Sequence, residues 1–150
     1  MKIMTIEEII EVTQKAHAGL VKNTNWGELG LFYNPEGKLK KGIYLLTFKE
    51  KDGENDHSSK LNRGGLYRLN LGISKESFIK LFGRTYSRPK AGKTILNDFD
   101  FSQVNTIMPH PVYGWMSWIC VINPSKKTFD LLQPLIAESY IQAMKKYEKK

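Results

Sequence analysis

Hydrophobic positions follow two rhythms along this chain. Near the N-terminus Ile6, Ile9, Ile10, Thr13 and Ala16 recur at helical spacing, which puts them on one helix face. Thr5 and Glu8 have capping-box spacing and Gly19 suits a C-terminal stop, so the pattern predicts a helix over 6–18. Residues 29–33 (LGLFY) and 42–48 (GIYLLTF) read as strands. They are joined by the turn sequence Asn34-Pro35-Glu36-Gly37, lengthened up to Lys41, and the pair is expected to be antiparallel. Residues 66–72 (LYRLNLG) alternate: Tyr67, Leu69 and Leu71 take one face, Leu66, Arg68 and Asn70 the other.

Ser74 is placed to cap a helix over KESFIKLF, and Gly83 to end it. Residues 115–122 (WMSWICVI) are apolar on both faces and predict a central strand. Ser125 can cap a last helix in which Phe129, Leu132, Ile136, Tyr140, Ala143 and Tyr147 keep helical spacing. Pro134 must kink that helix or restart it. Two stretches lack rhythm. Residues 49–65 form a long polar loop, and 83–111 hold at most a short helical turn near 101–107. Strands and helices do not alternate regularly. The expected fold is α+β: an antiparallel sheet packed by N-terminal, middle and C-terminal helices, in a single domain over 1–150.

Composition narrows the class. With 41% hydrophobic and 11% aromatic residues the chain is not disordered. Cys120 is the one cysteine, which implies no disulfide framework and suits a reducing compartment. Glutamates interrupt the N-terminal apolar stretch, so no signal peptide is expected, and no apolar run is long enough to span a bilayer. These features predict a soluble cytoplasmic protein without a membrane partner. The net charge of +8, from 23 Lys and Arg against 15 Asp and Glu, favours polyanionic partners.

That charge is concentrated. Between Ser77 and Asn97 there are five basic residues (Lys80, Arg84, Arg88, Lys90 and Lys93), no acidic one, and Tyr86 among them. Such a loop can neutralise phosphates while a tyrosine stacks on a base; the alternative is a solvated loop. Residues 87–94 (SRPKAGKT) approach a phosphate-binding P-loop, but Ser87 replaces the first glycine, Pro89 lies within, and no strong helix follows Thr94. His17, His57 and His110 are isolated, cysteines are unpaired, and Asp98 with Asp100 makes no cage, so neither a metal nor a cofactor is predicted. There is no nucleophile elbow and Cys120 falls mid-strand, so no catalytic residue is assigned.

His110 stands apart. Pro109 and Pro111 hold it extended, and a histidine with so little backbone freedom suits a ligand contact or a proton donor titrating near ~6.5. The same geometry suits a structural corner whose imidazole bonds a nearby carbonyl, and that reading is favoured.

The stretches MTIEEII, WGELGLFYNPEGK, NRGGLYRLNLGISKESFIKLFG and MPHPVYGWMSWICVINPSKKTFDLLQPLIAESY resemble an uncharacterised family of small bacterial proteins. The end of the chain, WICV followed by a helix closing in ESY, more distantly resembles the YjbR/MmcQ-like group. That resemblance implies an antiparallel α+β fold likened to a double-wing DNA-binding module. It assigns no catalytic residue.

Three functions compete. The leading one is a non-catalytic module for nucleic acid or another polyanion, using Arg84, Tyr86, Arg88, Lys90 and Lys93, extended by Arg63 and Arg68. The second is a pocket for a small anionic ligand, or an enzyme site, lined by Asn70, His110, Tyr113 and Trp115 with Arg68 as anion holder. The third is a protein-interaction domain, with Trp26, Trp115 and Trp118 shared between core and partner surface. Sequence leaves the oligomeric state open.

Overall fold

The computed structural model of the chain describes residues 2–150. Three helices form where caps and periodicity place them. Helix α1 (Ile6–Ala16) opens on a complete capping box between Thr5 and Glu8 and buries Ile6, Ile9, Ile10 and Thr13. It stops at Ala16, two residues short of the predicted end, because His17 already leaves helical geometry at φ −136°. Helix α2 (Lys75–Phe82) is capped by the Ser74 side chain and ends at Gly83, whose φ of 75° needs no Cβ. Helix α3 (Lys126–Glu148) is capped by Ser125. It runs on through Pro134 as one helix, without restarting. The carbonyl that the proline leaves without a donor belongs to Asp130, on the exposed face.

Six strands make one antiparallel sheet in the order β1-β2-β3-β4-β6-β5. They are β1 (Leu20–Asn25), β2 (Glu28–Tyr33), β3 (Ile43–Lys49), β4 (Arg68–Gly72), β5 (Met108–Pro109) and β6 (Trp118–Ile122). The α+β reading and the antiparallel pairing of the two strands flanking Asn34–Gly37 hold. Strand β1 was not foreseen. It is an edge strand, and only Leu20 of its six residues is buried, so it carries no alternation to read. Trp26 and Gly27 turn it into β2 with φ of 54° and 77°; positive φ at both central residues is the requirement of a type I′ hairpin.

Two other expectations are corrected. The strand over 115–122 begins only at Trp118, because Gly114–Met116 forms a 3₁₀ turn and Ser117 sits at φ 65°. No helical turn forms over 101–107. There the Asp100 carboxylate accepts from both the backbone N–H and the hydroxyl of Ser102, at 3.0 and 2.6 Å, a local bond that competes with helix.

The sheet has two buried faces. On one, the rows Leu31–Leu46–Leu71–Ile119 and Leu29–Phe48–Leu69–Val121 pack under Ile9 of α1, Phe78 of α2, and Phe129, Leu132 and Ile136 of α3. The other carries the rows Gly30–Thr47–Asn70–Cys120–Met108 and Lys49–Arg68–Ile122. Loops cover this second face. Ile95 and Phe101 join Met108 and Cys120 in a small core of their own, with Tyr86 packed against it. The two arrhythmic stretches are therefore folded covers over a polar sheet face. Among the described residues no helix is long and apolar enough to cross a membrane.

Candidate functional site

Strand parity puts Arg68 and Asn70 together on the loop-covered face, and burial there makes their bonding demanding. Arg68 has no exposed surface. A guanidinium carries five N–H donors in a rigid fork, and here Asp56, Ser59 and Asn70 accept four of them while His110 stands against the fifth. Nη1 donates to Asp56 Oδ1 and to Ser59 Oγ, both at 2.9 Å. Nη2 donates to Asp56 Oδ2 at 2.6 Å and lies 3.0 Å from His110 Nε2. Nε donates to Asn70 Oδ1 at 2.7 Å. Asp56 and Ser59 come from the long polar loop, so Arg68 pins that loop to the sheet. Burial opposes ionisation of Asp56, but the Arg68 hydrogen bonds and charge outweigh it and hold the carboxyl below its ordinary value.

The network continues through Asn70. With its oxygen committed to Arg68, its amide nitrogen donates to Thr47 Oγ1 at 3.1 Å and reaches Glu28 Oε1 at 3.4 Å. Lys49 stands 3.8 Å from the other Glu28 oxygen. Burial pushes the Glu28 carboxyl up, against the pull of Lys49 and Arg68.

His110 closes the other side, with 2% exposure. Three N–H groups converge on its two ring nitrogens: Arg68 Nη2 on Nε2, and the Val112 and Tyr113 amides on Nδ1 at 3.1 and 3.0 Å. A neutral imidazole has one lone pair and one N–H, so it accepts at one of these nitrogens, whereas an imidazolium would set N–H against N–H at both. Burial, reinforced by the Arg68 charge, drives its pKa well below the usual value, with Asp56 pulling the other way. A proton donor titrating near ~6.5 is therefore corrected: His110 is a neutral acceptor. The imidazole takes N–H bonds rather than giving one to a carbonyl. Cys120 donates weakly to the Pro109 carbonyl at 3.7 Å, and burial pushes its thiol up to about 12.

A cavity of about 710 Å³ opens beside this network, within the ~300–1,000 Å³ of small-molecule sites. Its position follows from strand pairing. Strands β3 and β4 are bonded only from Leu46–Leu71 to Lys49–Arg68. Beyond Leu46 the β3 chain keeps only β2, and Gly72 pairs with Trp118 of β6. The sheet thus splits at one end, and Ser139 and Ala143 of α3 line the gap. Thr47, Asn70 and His110 bring the polar network to the wall, while Trp26, Tyr44, Tyr113 and Trp118 supply rings. The Tyr44 and Trp118 rings meet edge to face, 6.3 Å between centroids. Gly72 is required beneath Trp118, since a Cβ there would come within 2.9 Å of the indole.

Of the sequence candidates, the structure brings Asn70, His110 and Tyr113 to the cavity, with Arg68 one bond behind. Trp115 does not line it; that ring packs under the Arg88 guanidinium, 5.0 Å away. Trp118, Tyr44, Thr47, Glu28 and Trp26 were not foreseen there. Arg68 does not belong to an accessible basic surface, being buried and matched by Asp56. Arg63 is exposed but clips the two covering loops together, donating to the carbonyls of Ser59 and Ser102 at 3.1 and 2.9 Å. Arg84 lies 4.3 Å over the ring of Tyr86. Tyr86 is no free stacking platform, for its ring also packs edge-on against Phe78 and on both cores. Lys90 and Lys93 are exposed. Among the described residues no group of three or more His, Cys, Asp or Glu is arranged to hold a metal.

No curated protein and no solved structure matches the chain. A family model does match, over residues 4–150, and by that match the chain belongs to a family of unknown function, DUF6194.

Proposed function

We propose that this protein binds a small molecule in the cavity where β3 and β4 part. One observation carries the reading: a cavity of about 710 Å³ whose aromatic walls stand on a hydrogen-bonded polar floor. Apolar walls with a few fixed polar groups are the usual composition of a ligand site. Groups locked before binding lose little freedom on binding. In a thermal-shift screen against a metabolite library, at least one compound should raise Tm in proportion to the logarithm of its concentration. At 100 times Kd the gain is about 2.7 kcal/mol, or roughly 5–10 °C for a chain of this size. Trp118→Ala should shrink that shift. A library that never moves Tm, or a shift that Trp118→Ala leaves whole, counts against the cavity.

Nucleic-acid or polyanion binding is a second reading, favoured by the net charge of +8 and the exposure of Arg84, Arg88, Lys90 and Lys93 on one loop. The double-wing resemblance of the sequence points the same way. It requires an affinity for labelled DNA or RNA that falls by about 0.9 logarithmic units per phosphate neutralised for each decade of salt. Binding lost entirely at physiological salt, or unchanged in Arg84→Glu with Arg88→Glu, argues against it.

A further inference from the structure

The charges of the site are unequally satisfied. Asp56 and Arg68 meet as a two-pronged pair at 2.9 and 2.6 Å, the geometry in which a carboxylate and a guanidinium compensate each other best. Glu28 has no such partner. Its side chain is only 26% exposed, yet the Lys49 ammonium stays 3.8 Å away and the Asn70 amide 3.4 Å. Charge-assisted bonds close to about 2.7–2.9 Å, and a carboxylate accepts at about four sites. The Thr47 side chain also bonds the Glu28 carboxylate, and with these three neighbours Glu28 lines the cavity without a paired, close-fitting cation.

The rings around it are placed for a cation as well. Trp26 stands two residues from Glu28 in the same hairpin tip and is 91% exposed, although its backbone sits at φ 54°, a conformation L residues seldom adopt. Tyr44 and Trp118 also line the cavity, their rings edge to face, with Gly72 leaving room for the indole. Aromatic faces carry negative potential and attract ammonium and guanidinium groups. Of the positive groups nearby, Arg68 is sealed behind Asn70 by Asp56 and His110, and Lys49 stands 3.8 Å from Glu28; Lys146 of α3 lines the cavity but is exposed.

We propose that the cavity takes an organic cation, its ammonium or amidinium group seated on the Glu28 carboxylate and its body held between the rings of Trp26, Tyr44 and Trp118. The proposal rests on the pocket reading above and names the ligand class, in place of the anionic ligand that an accessible Arg68 would have selected.

Benzamidine, benzamide and benzoate share one shape and differ in charge, so they test it directly. Titrated into the full-length protein at neutral pH and followed by tryptophan fluorescence, benzamidine should bind at least tenfold more tightly than either of the others. Glu28→Gln, which keeps the side-chain shape, should erase that preference while leaving benzamide affinity unchanged. Trp26→Ala, at an exposed position, should weaken benzamidine several-fold. Equal or tighter binding of benzamide or benzoate, or a preference that survives Glu28→Gln, overturns the cation assignment and leaves the cavity as a binding site. If none of the three binds, the cation assignment falls, and the pocket reading is then decided by the metabolite screen with Trp118→Ala.

Discussion

Asp56→Ala is expected to destabilise the fold by about 3–5 kcal/mol, the cost of stranding one member of a buried ion pair. Arg68 has no exposed surface, and Asp56 receives two of its hydrogen bonds. Without Asp56 two N–H groups and a full charge remain in the interior. Ser59, Asn70 and His110 can neutralise none of that charge. In a chain of this size the loss corresponds to a fall in Tm of roughly 10 °C. Asp56→Asn should fall between, since an amide accepts on one side but brings no charge. Arg68→Met combined with Asp56→Leu should recover part of the loss, because removing both charges removes the desolvation problem. Recovery stops short of wild type, for Asn70 Oδ1 loses a donor. Urea unfolding of the four proteins measures these differences. A loss under about 1 kcal/mol for Asp56→Ala would place the pair among solvated salt bridges and contradict the sealed geometry.

This pair also marks the limit of what the sequence discloses. Parity along 66–72 puts Arg68 and Asn70 on one sheet face, and that much is legible in LYRLNLG alone. Their burial is not, because it depends on Asp56 and Ser59, which sit in a polar loop with no periodicity. Helices α1, α2 and α3 are legible because each opens on a side-chain cap at the right spacing from its apolar face. Strand β1 is not, since an edge strand with one buried residue resembles a loop. The small second core is built from Ile95, Phe101, Met108 and Cys120, single residues too far apart to make a pattern. The cavity shows the same limit. Sequence offers two nearby tryptophans: Trp118, in β6 on the face of Asn70 and Cys120, reaches the cavity, and Trp115, in the 3₁₀ turn before the strand, does not. Where a strand starts is invisible to alternation.

His110 should make the protein less stable in mild acid, and the sign follows from its bonds. An unfolded histidine takes a proton near pH ~6.5, whereas folded His110 resists protonation to well below that value because it is buried beside Arg68. Below about pH 6.5 the unfolded chain therefore binds a proton that the folded chain refuses. Stability then falls by up to about 1.4 kcal/mol per pH unit, until the folded state is protonated too. His17, lowered by burial, adds to the same slope. Glu28 opposes it above 4.5, since its carboxyl is raised and the folded state takes that proton first. Asp56 is lowered from 3.8, so its contribution is lost only at still lower pH. Comparing variants over pH 7 to 5 separates the histidines from Glu28, which is common to all of them. Urea midpoints there should fall with pH in the wild type and in His17→Gln, and fall much less in His110→Gln, whose amide cannot titrate. The imidazole C–H resonances of His110 should stay unshifted across the same interval. An equal slope in His110→Gln, or a His110 that titrates at pH 6–7, would restore it as a proton carrier. A flat His110 resonance makes it a fixed acceptor that ties Arg68 to the turn at 110–113, and leaves recognition in the cavity to Glu28 and the rings.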